Sequence, residues 1–256
     1  MPNRLPQALL TLLAWLAATI VAGAFMRQES AGIAEIVGLL TTGIAWNVVG
    51  GIAVLAIASR VFRWRDLSFG PPRLRAVVWL IWFPILTLLP FYGIAFAIGL
   101  PPGRAMLFLA INTALVALSE EWMFRGILFQ ALKSRLRIWP AVALTSVLFG
   151  AIHVLNAFVL GDLRLAAAQS VAAMMTGLLL IALMLRTGSI WTAIVYHMVW
   201  NFGILLVAYE TAQNPLPEGP LPLSAYLVPL LVVLPNFLFG LVLLRKLRHD
   251  PAVEQG

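Results

Sequence analysis

The sequence predicts an all-α integral membrane protein of about eight transmembrane helices enclosing an intramembrane cavity, with both termini cytoplasmic. Three observations carry this. The chain of 256 residues is 62% hydrophobic and only 11% charged, where a soluble domain is about 45–50% apolar and about 25% charged. Eight apolar runs reach the length of about 20 residues that a membrane-spanning helix needs. The basic residues between the runs fall mostly on one side, the pattern of cytoplasmic loops. The runs are continuously apolar instead of alternating, which excludes the strands of a membrane barrel.

The first run, 7–26, follows Arg4 and reads as a helix, not as a removed leader. The second, 33–59, ends in a loop with Arg60, Arg63, Arg65, Arg73 and Arg75. The third, 76–100, carries Pro84 and Pro90. The fourth, 105–132, is uncharged from Ala105 to Leu118, then holds Glu120, Glu121 and Arg125 before Lys133, Arg135 and Arg137. The fifth, 138–160, holds His153; the sixth, 165–185, ends at Arg186. The seventh, 189–209, holds His197 and Asn201. The eighth, 223–244, carries Pro229 and Pro235 and leads to Arg245, Lys246, Arg248 and His249, the last a solvated tail residue. The ends and loops are short, so 1–256 reads as one polytopic domain.

Counted with Arg4, 13 of the 17 basic residues lie on one side. Arg27, Arg104 and Arg164 lie on the other, which also takes the loop around Pro217, and Arg125 is inside a helix. The net charge of +7 is therefore a topology signal. Membrane lipids with anionic headgroups are its partners, and nucleic acid is excluded for want of a basic domain. The chain has no cysteine, which removes disulfides, thiolate metal ligands and thiol catalysis.

An ionisable residue inside a bilayer costs about 2.5–3.5 kcal/mol on insertion scales and marks function by default. The candidates are Glu120, Glu121, Arg125, His153 and His197. Measured at about 1.5 Å per residue, Glu120, His153 and His197 lie roughly 20, 22 and 12 Å from the cytoplasmic ends of their helices, in the middle or cytoplasmic half of the bilayer. Glu121 and Arg125, four apart, share a helix face as an ion pair. His197 and Asn201 share another. Glu120 is turned about 100° from Glu121 and finds Val116, Ala117, Met123 and Phe124 at the neighbouring helical positions. It needs a partner on another helix, a water or a proton. Asn47, Asn112, Gln169 and Asn236 read as interhelical hydrogen-bonding groups.

These residues spell EExxxR (Glu120 to Arg125), FxxxH (Phe149 to His153) and HxxxN (His197 to Asn201), in order, on successive apolar helices. In this the chain resembles the CPBP intramembrane proteases, which include the Rce1-type CAAX prenyl endoproteases and the bacterial Abi or bacteriocin-immunity proteins. The likeness covers about 105–205 as a catalytic core. It implies an endopeptidase that cuts near the C-terminus of a membrane-associated peptide or lipidated, CAAX-type protein, in a bacterial cytoplasmic membrane. It further implies that Glu120 is the general base for water, that His153 helps hold that water, and that His197 and Asn201 stabilise the oxyanion. Glu121, Arg125 and Phe149 would support the site. Such hydrolysis needs a base and donors for a developing oxyanion. The HExxH, GxSxG and GxGD motifs of other proteases are absent; Gly161-Asp162 lacks the upstream glycine.

A metal is left open. Glu120, His153 and His197 would be a plausible zinc set, and the same residues serve a glutamate-activated water without metal, which is the reading preferred. The competing classes are a non-enzymatic scaffold or immunity-type binder, and a proton-coupled transporter, which would show matched half-repeats and broken helices.

Overall fold

A computed structural model describes residues 4–21, 33–213 and 221–245, which are helical with short connections and contain no strand. Arg27, Pro217, Lys246, Arg248 and His249, and the end of the first run, lie outside the described residues. The helices are α1 (Arg4–Leu16, continued by a π-helical turn Ala17–Val21), α2 (Ile33–Thr42), α3 (Trp46–Val61), α4 (Leu74–Ile98), α5 (Gly103–Lys133), α6 (Ile138–Ile152), α7 (Leu163–Thr187), α8 (Ile190–Gln213) and α9 (Leu223–Leu244). Among the described residues, six are long and apolar enough to cross a membrane, seven if the bent pair α2–α3 is one span, and Arg4–Ile20 is a shorter apolar helix. The chain is an integral membrane protein.

Large apolar side chains cover its outside: Trp79 is 77% and Phe96 80% exposed. Water would penalise so broad an apolar surface, whereas lipid does not. α7 is the inner helix, packed by α6, α8 and α9. Small residues allow the close approach. A Cβ on Gly150 would stand 2.5 Å from the Ser170 carbonyl oxygen, and one on Gly240 would stand 2.8 Å from Leu178. The ends of α7 are set by local chemistry. The Asp162 carboxylate accepts from the Arg164 and Leu165 amides as an N-cap, and Gly188 closes the C-terminus at φ 76°.

Two expected helices are interrupted. The second run is not one rod: α2 and α3 meet at 72° across Gly43–Ala45. The exposed backbone of the break is satisfied by Asn112, whose amide donates to the Leu40 and Gly43 carbonyls and whose oxygen accepts from the Ala45 amide. The fifth run stops being α-helical at Ile152, continues as a 3₁₀ turn, His153–Asn156, and ends in a helical turn, Ala157–Leu160.

The segments that carry the basic excess gather at one end of the bundle. Arg4 pairs with Asp66, Gln130 donates to Ser68, Arg73 to the Arg186 carbonyl, and Arg186 to the Leu243 carbonyl. The loop 62–73 folds over this end. Its Ser68 and Gly70 carbonyls accept from the Ile190 amide and the Ser189 hydroxyl.

Candidate active site

The two glutamates end the regular part of α5. Directly after them, Trp122–Leu128 is π-helical. Such widened turns are rare and cluster at functional sites. Arg125 reaches back from this turn to Glu121 at 2.9 Å, with neither side chain exposed. It also donates to the Gly177 carbonyl at 3.1 Å, and its guanidinium lies 4.2 Å from the centre of the Phe149 ring. Gly177 has to be glycine for this: a Cβ there would sit 3.1 Å from Phe149 and 3.2 Å from Arg125. A charge buried so deeply is tolerable only when paired and hydrogen-bonded, and Arg125 is both.

Glu121 has a second partner. Its Oε1 accepts from His197 Nδ1 at 2.8 Å. A carboxylate oxygen can only accept, so Nδ1 carries the proton and the ring is fixed with Nε2 turned to the other glutamate. His197 Nε2 stands 3.8 Å from Glu120 Oε2. That oxygen is shielded from solvent and has no hydrogen-bond partner among the described residues. The line Arg125–Glu121–His197–Glu120 thus joins α5 to α8; Glu120 Oε2 at its end and Glu121 Oε2 within it have no hydrogen-bond partner among the described residues.

His153 completes the group through the interruption of α6. As the helix tightens into the 3₁₀ turn, the His153 amide turns to the Gly150 and Ala151 carbonyls. The Phe149 carbonyl then receives the imidazole Nδ1 at 2.8 Å. The carbonyl can only accept, so Nδ1 is again the protonated nitrogen and Nε2 is an acceptor. Phe149 lies between the parts: its ring meets His153 and His197 edge-on at 5.0 and 6.0 Å and Phe124 at 5.1 Å. Ahead of the glutamates, the Ser119 hydroxyl accepts from the Trp15 indole at 2.8 Å, fixing α1 against α5.

The sequence candidates therefore come together. Glu120, Glu121, Arg125, Phe149, His153 and His197 form one connected cluster, and Asn201 lines the same cavity as Glu120, His153 and His197. Ser189 and Ile190, at the start of α8, are fully buried, and Ser189 bonds to the 62–73 loop; eight residues beyond Ser189, His197 lies beside Glu120. Asn47, Asn112, Gln169 and Asn236 all make hydrogen bonds between separate segments of the chain.

Two cavities meet at Glu120 and His153. The larger, about 590 Å³, runs between α1, α2, α3, α5 and the 3₁₀ turn, and is lined by Trp15, Glu35, Asn47, Ser119 and Asn156 among others. The smaller, about 370 Å³, is bounded by α4, α7, α8 and α9 with Phe91, Thr176, Trp200, Val232 and Val233. Glu35 was not among the sequence candidates, although it is a carboxylate inside the second apolar run. Nor did the sequence single out the Glu121–His197 bond, since intrahelical spacing says nothing about partners on different helices.

Among the described residues no group of three His, Cys, Asp or Glu side chains is placed to hold a metal ion, Glu120, His153 and His197 included.

The chain is thus a polytopic membrane protein with a buried glutamate–histidine centre. Residues 102–203 match the family model described as type II CAAX prenyl endopeptidase Rce1-like, a family of proteases. No curated protein and no solved structure matches the chain. The matched segment begins just before α5 and ends on α8, so it contains every member of the cluster.

Proposed function

We propose that the protein is an intramembrane endopeptidase that hydrolyses a peptide bond with water activated by Glu120. The observation that carries this is the unengaged Glu120 oxygen, held at the junction of two cavities beside His153 and His197. A water between Glu120 and His153 can donate one proton to the carboxylate and the other to His153 Nε2, which leaves an oxygen lone pair free for the carbonyl carbon. Attack forms the tetrahedral intermediate as Glu120 takes the proton, which it later gives to the leaving amine. The oxyanion is stabilised by His197, donating from Nε2 in its doubly protonated form, and by the Asn201 amide. Glu121 and Arg125 hold His197 in place and Phe149 fixes the spacing of the two imidazoles. No step is routed through a metal.

The substrate is a membrane-associated peptide or lipidated protein cut near its C-terminus, of the CAAX type, as the family description supports. The side that carries the basic residues faces the cytoplasm of a bacterial membrane, with the site in the cytoplasmic half. The test is mass spectrometry of a pool of apolar and prenylated peptides incubated with the purified protein in detergent. New peptide termini formed at one defined bond are expected. A folded protein that produces none from any member of the pool would favour the scaffold reading.

A further inference from the structure

Glu35 faces the larger cavity and has no part in the hydrolysis described above. It stands in the first turn of α2, where an acidic residue is favourable to the helix dipole. That position alone would leave the carboxylate in water or at the headgroups. Instead its Oε1 is shielded from solvent and has no hydrogen-bond partner among the described residues. A carboxylate oxygen so placed is costly until a donor meets it.

The cavity does not supply that donor. Among the described residues no lysine or arginine lines it. Several of its other polar groups are held by protein: the Thr19 hydroxyl donates to the Trp15 carbonyl at 2.9 Å, the Ser119 hydroxyl accepts from the Trp15 indole, and Asn47 and Asn156 each spend one of two N–H donors, on the Thr19 carbonyl at 3.1 Å and on Gln169 at 3.3 Å. His153 spends its proton on Phe149. The acceptors left facing the space are Glu35 Oε1 at the wall, and Glu120 Oε2 with His153 Nε2 at the inner end. The smaller cavity differs. Apart from Glu120, which both share, no carboxylate lines it. Both sides of the reacting centre are mainly apolar, and the larger one adds an acid with no counter-charge among the described residues.

We propose that Glu35 is a specificity-determining residue that makes the larger cavity a subsite for a cationic side chain, lysine or arginine, of the substrate. This rests on the peptidase reading of the Glu120 centre. An ammonium or guanidinium group supplies several donors to these acceptors, and a neutral or acidic side chain leaves the Glu35 charge unmatched.

The experiment uses a peptide series in which one lysine is walked along an otherwise apolar sequence, with a matched series carrying norleucine. The wild-type protein should cleave the best lysine peptide roughly tenfold or more faster in kcat/KM than its norleucine match, the factor expected of a hydrogen bond to a charged group. In Glu35→Gln the ratio should fall to near one, and Glu35→Lys should turn the preference to a glutamate peptide. Acetylating the peptide lysine should abolish the preference in the wild-type protein, which tests the subsite without any substitution. A wild-type ratio near one at every position, or a ratio that survives Glu35→Gln, would overturn the proposal. A parallel arm measures binding of the fluorescently labelled peptides to Glu120→Gln, with and without Glu35→Gln. Glu35-dependent lysine binding together with no cleavage by the wild-type protein would overturn hydrolysis and keep the subsite. Cleavage of the norleucine series with no Glu35-dependent preference would do the reverse.

Discussion

The buried ion pair of Glu121 and Arg125 allows its own energetics to be worked through. Replacing Arg125 with Met keeps much of the volume and removes three interactions: the 2.9 Å pair, the 3.1 Å donation to the Gly177 carbonyl and the contact over Phe149 at 4.2 Å. It leaves Glu121 fully buried with only His197 as a partner. Replacing Glu121 with Gln keeps an oxygen for His197 Nδ1 and leaves the guanidinium uncompensated. Removing one partner of a buried pair costs roughly 3–5 kcal/mol, whereas replacing both is often close to neutral. Each single variant should therefore lose about that much stability. The double variant should recover a large part, giving a coupling energy of at least about 2 kcal/mol. The assay is reversible SDS-induced unfolding in mixed micelles, followed by the fluorescence of the nine tryptophans. Losses that add to within about 0.5 kcal/mol would refute the reasoning.

Three further outcomes follow from the same structure. Gly177→Ala introduces a methyl 3.1 Å from Phe149 and 3.2 Å from Arg125; it should destabilise the protein by about 1–3 kcal/mol, as overpacking does, and an unchanged unfolding midpoint would argue against the tight contact. Exhaustive chelation should leave peptide cleavage intact, because the three candidate ligands are not arranged as a metal set; activity lost to the chelator and restored by zinc would reverse that reading. The absence of cysteine permits a clean topology test with Ser134→Cys and Leu163→Cys, both exposed and at opposite ends of the bundle: an impermeant thiol reagent should label the second in intact cells and the first only after permeabilisation. Labelling of both from one side would contradict the orientation proposed from the basic residues.

The helices were legible because a span needs only length and apolarity: each of the eight runs is mostly helical where it is described, although only six, or seven with the bent pair, are long and apolar enough to span among the described residues. Their interruptions were not. Gly43-Ile44-Ala45 is as apolar as its surroundings, and the break there is made good by Asn112, 67 residues beyond Ala45 in the chain. The 3₁₀ turn at His153 and the π-helical stretch after Glu121 carry no proline, and local spacing does not announce them. The site was legible in its membership, since charged and imidazole groups stand out in a hydrocarbon-length segment, and spacing alone gave the Glu121–Arg125 pair. Its wiring was not: the Glu121–His197 bond spans 76 residues and depends on how α8 packs against α5. Glu35 passed unnoticed because a carboxylate near the end of a span is ordinary, and only the cavity beside it makes it conspicuous.

The central claim is that Glu120 lies within the membrane-spanning bundle to activate water, while Glu121 beside it serves structure. The most direct measurement is cleavage of one defined peptide by purified wild-type and Glu120→Gln proteins in detergent, with the folded state of each followed by its SDS unfolding midpoint. The substitution keeps the shape of a side chain whose Oε2 has no hydrogen-bond partner among the described residues, so the midpoint should hold while turnover falls by about 10²–10⁴-fold, the loss expected on removing a general base. A folded Glu120→Gln protein that cleaves at near the wild-type rate would contradict the account.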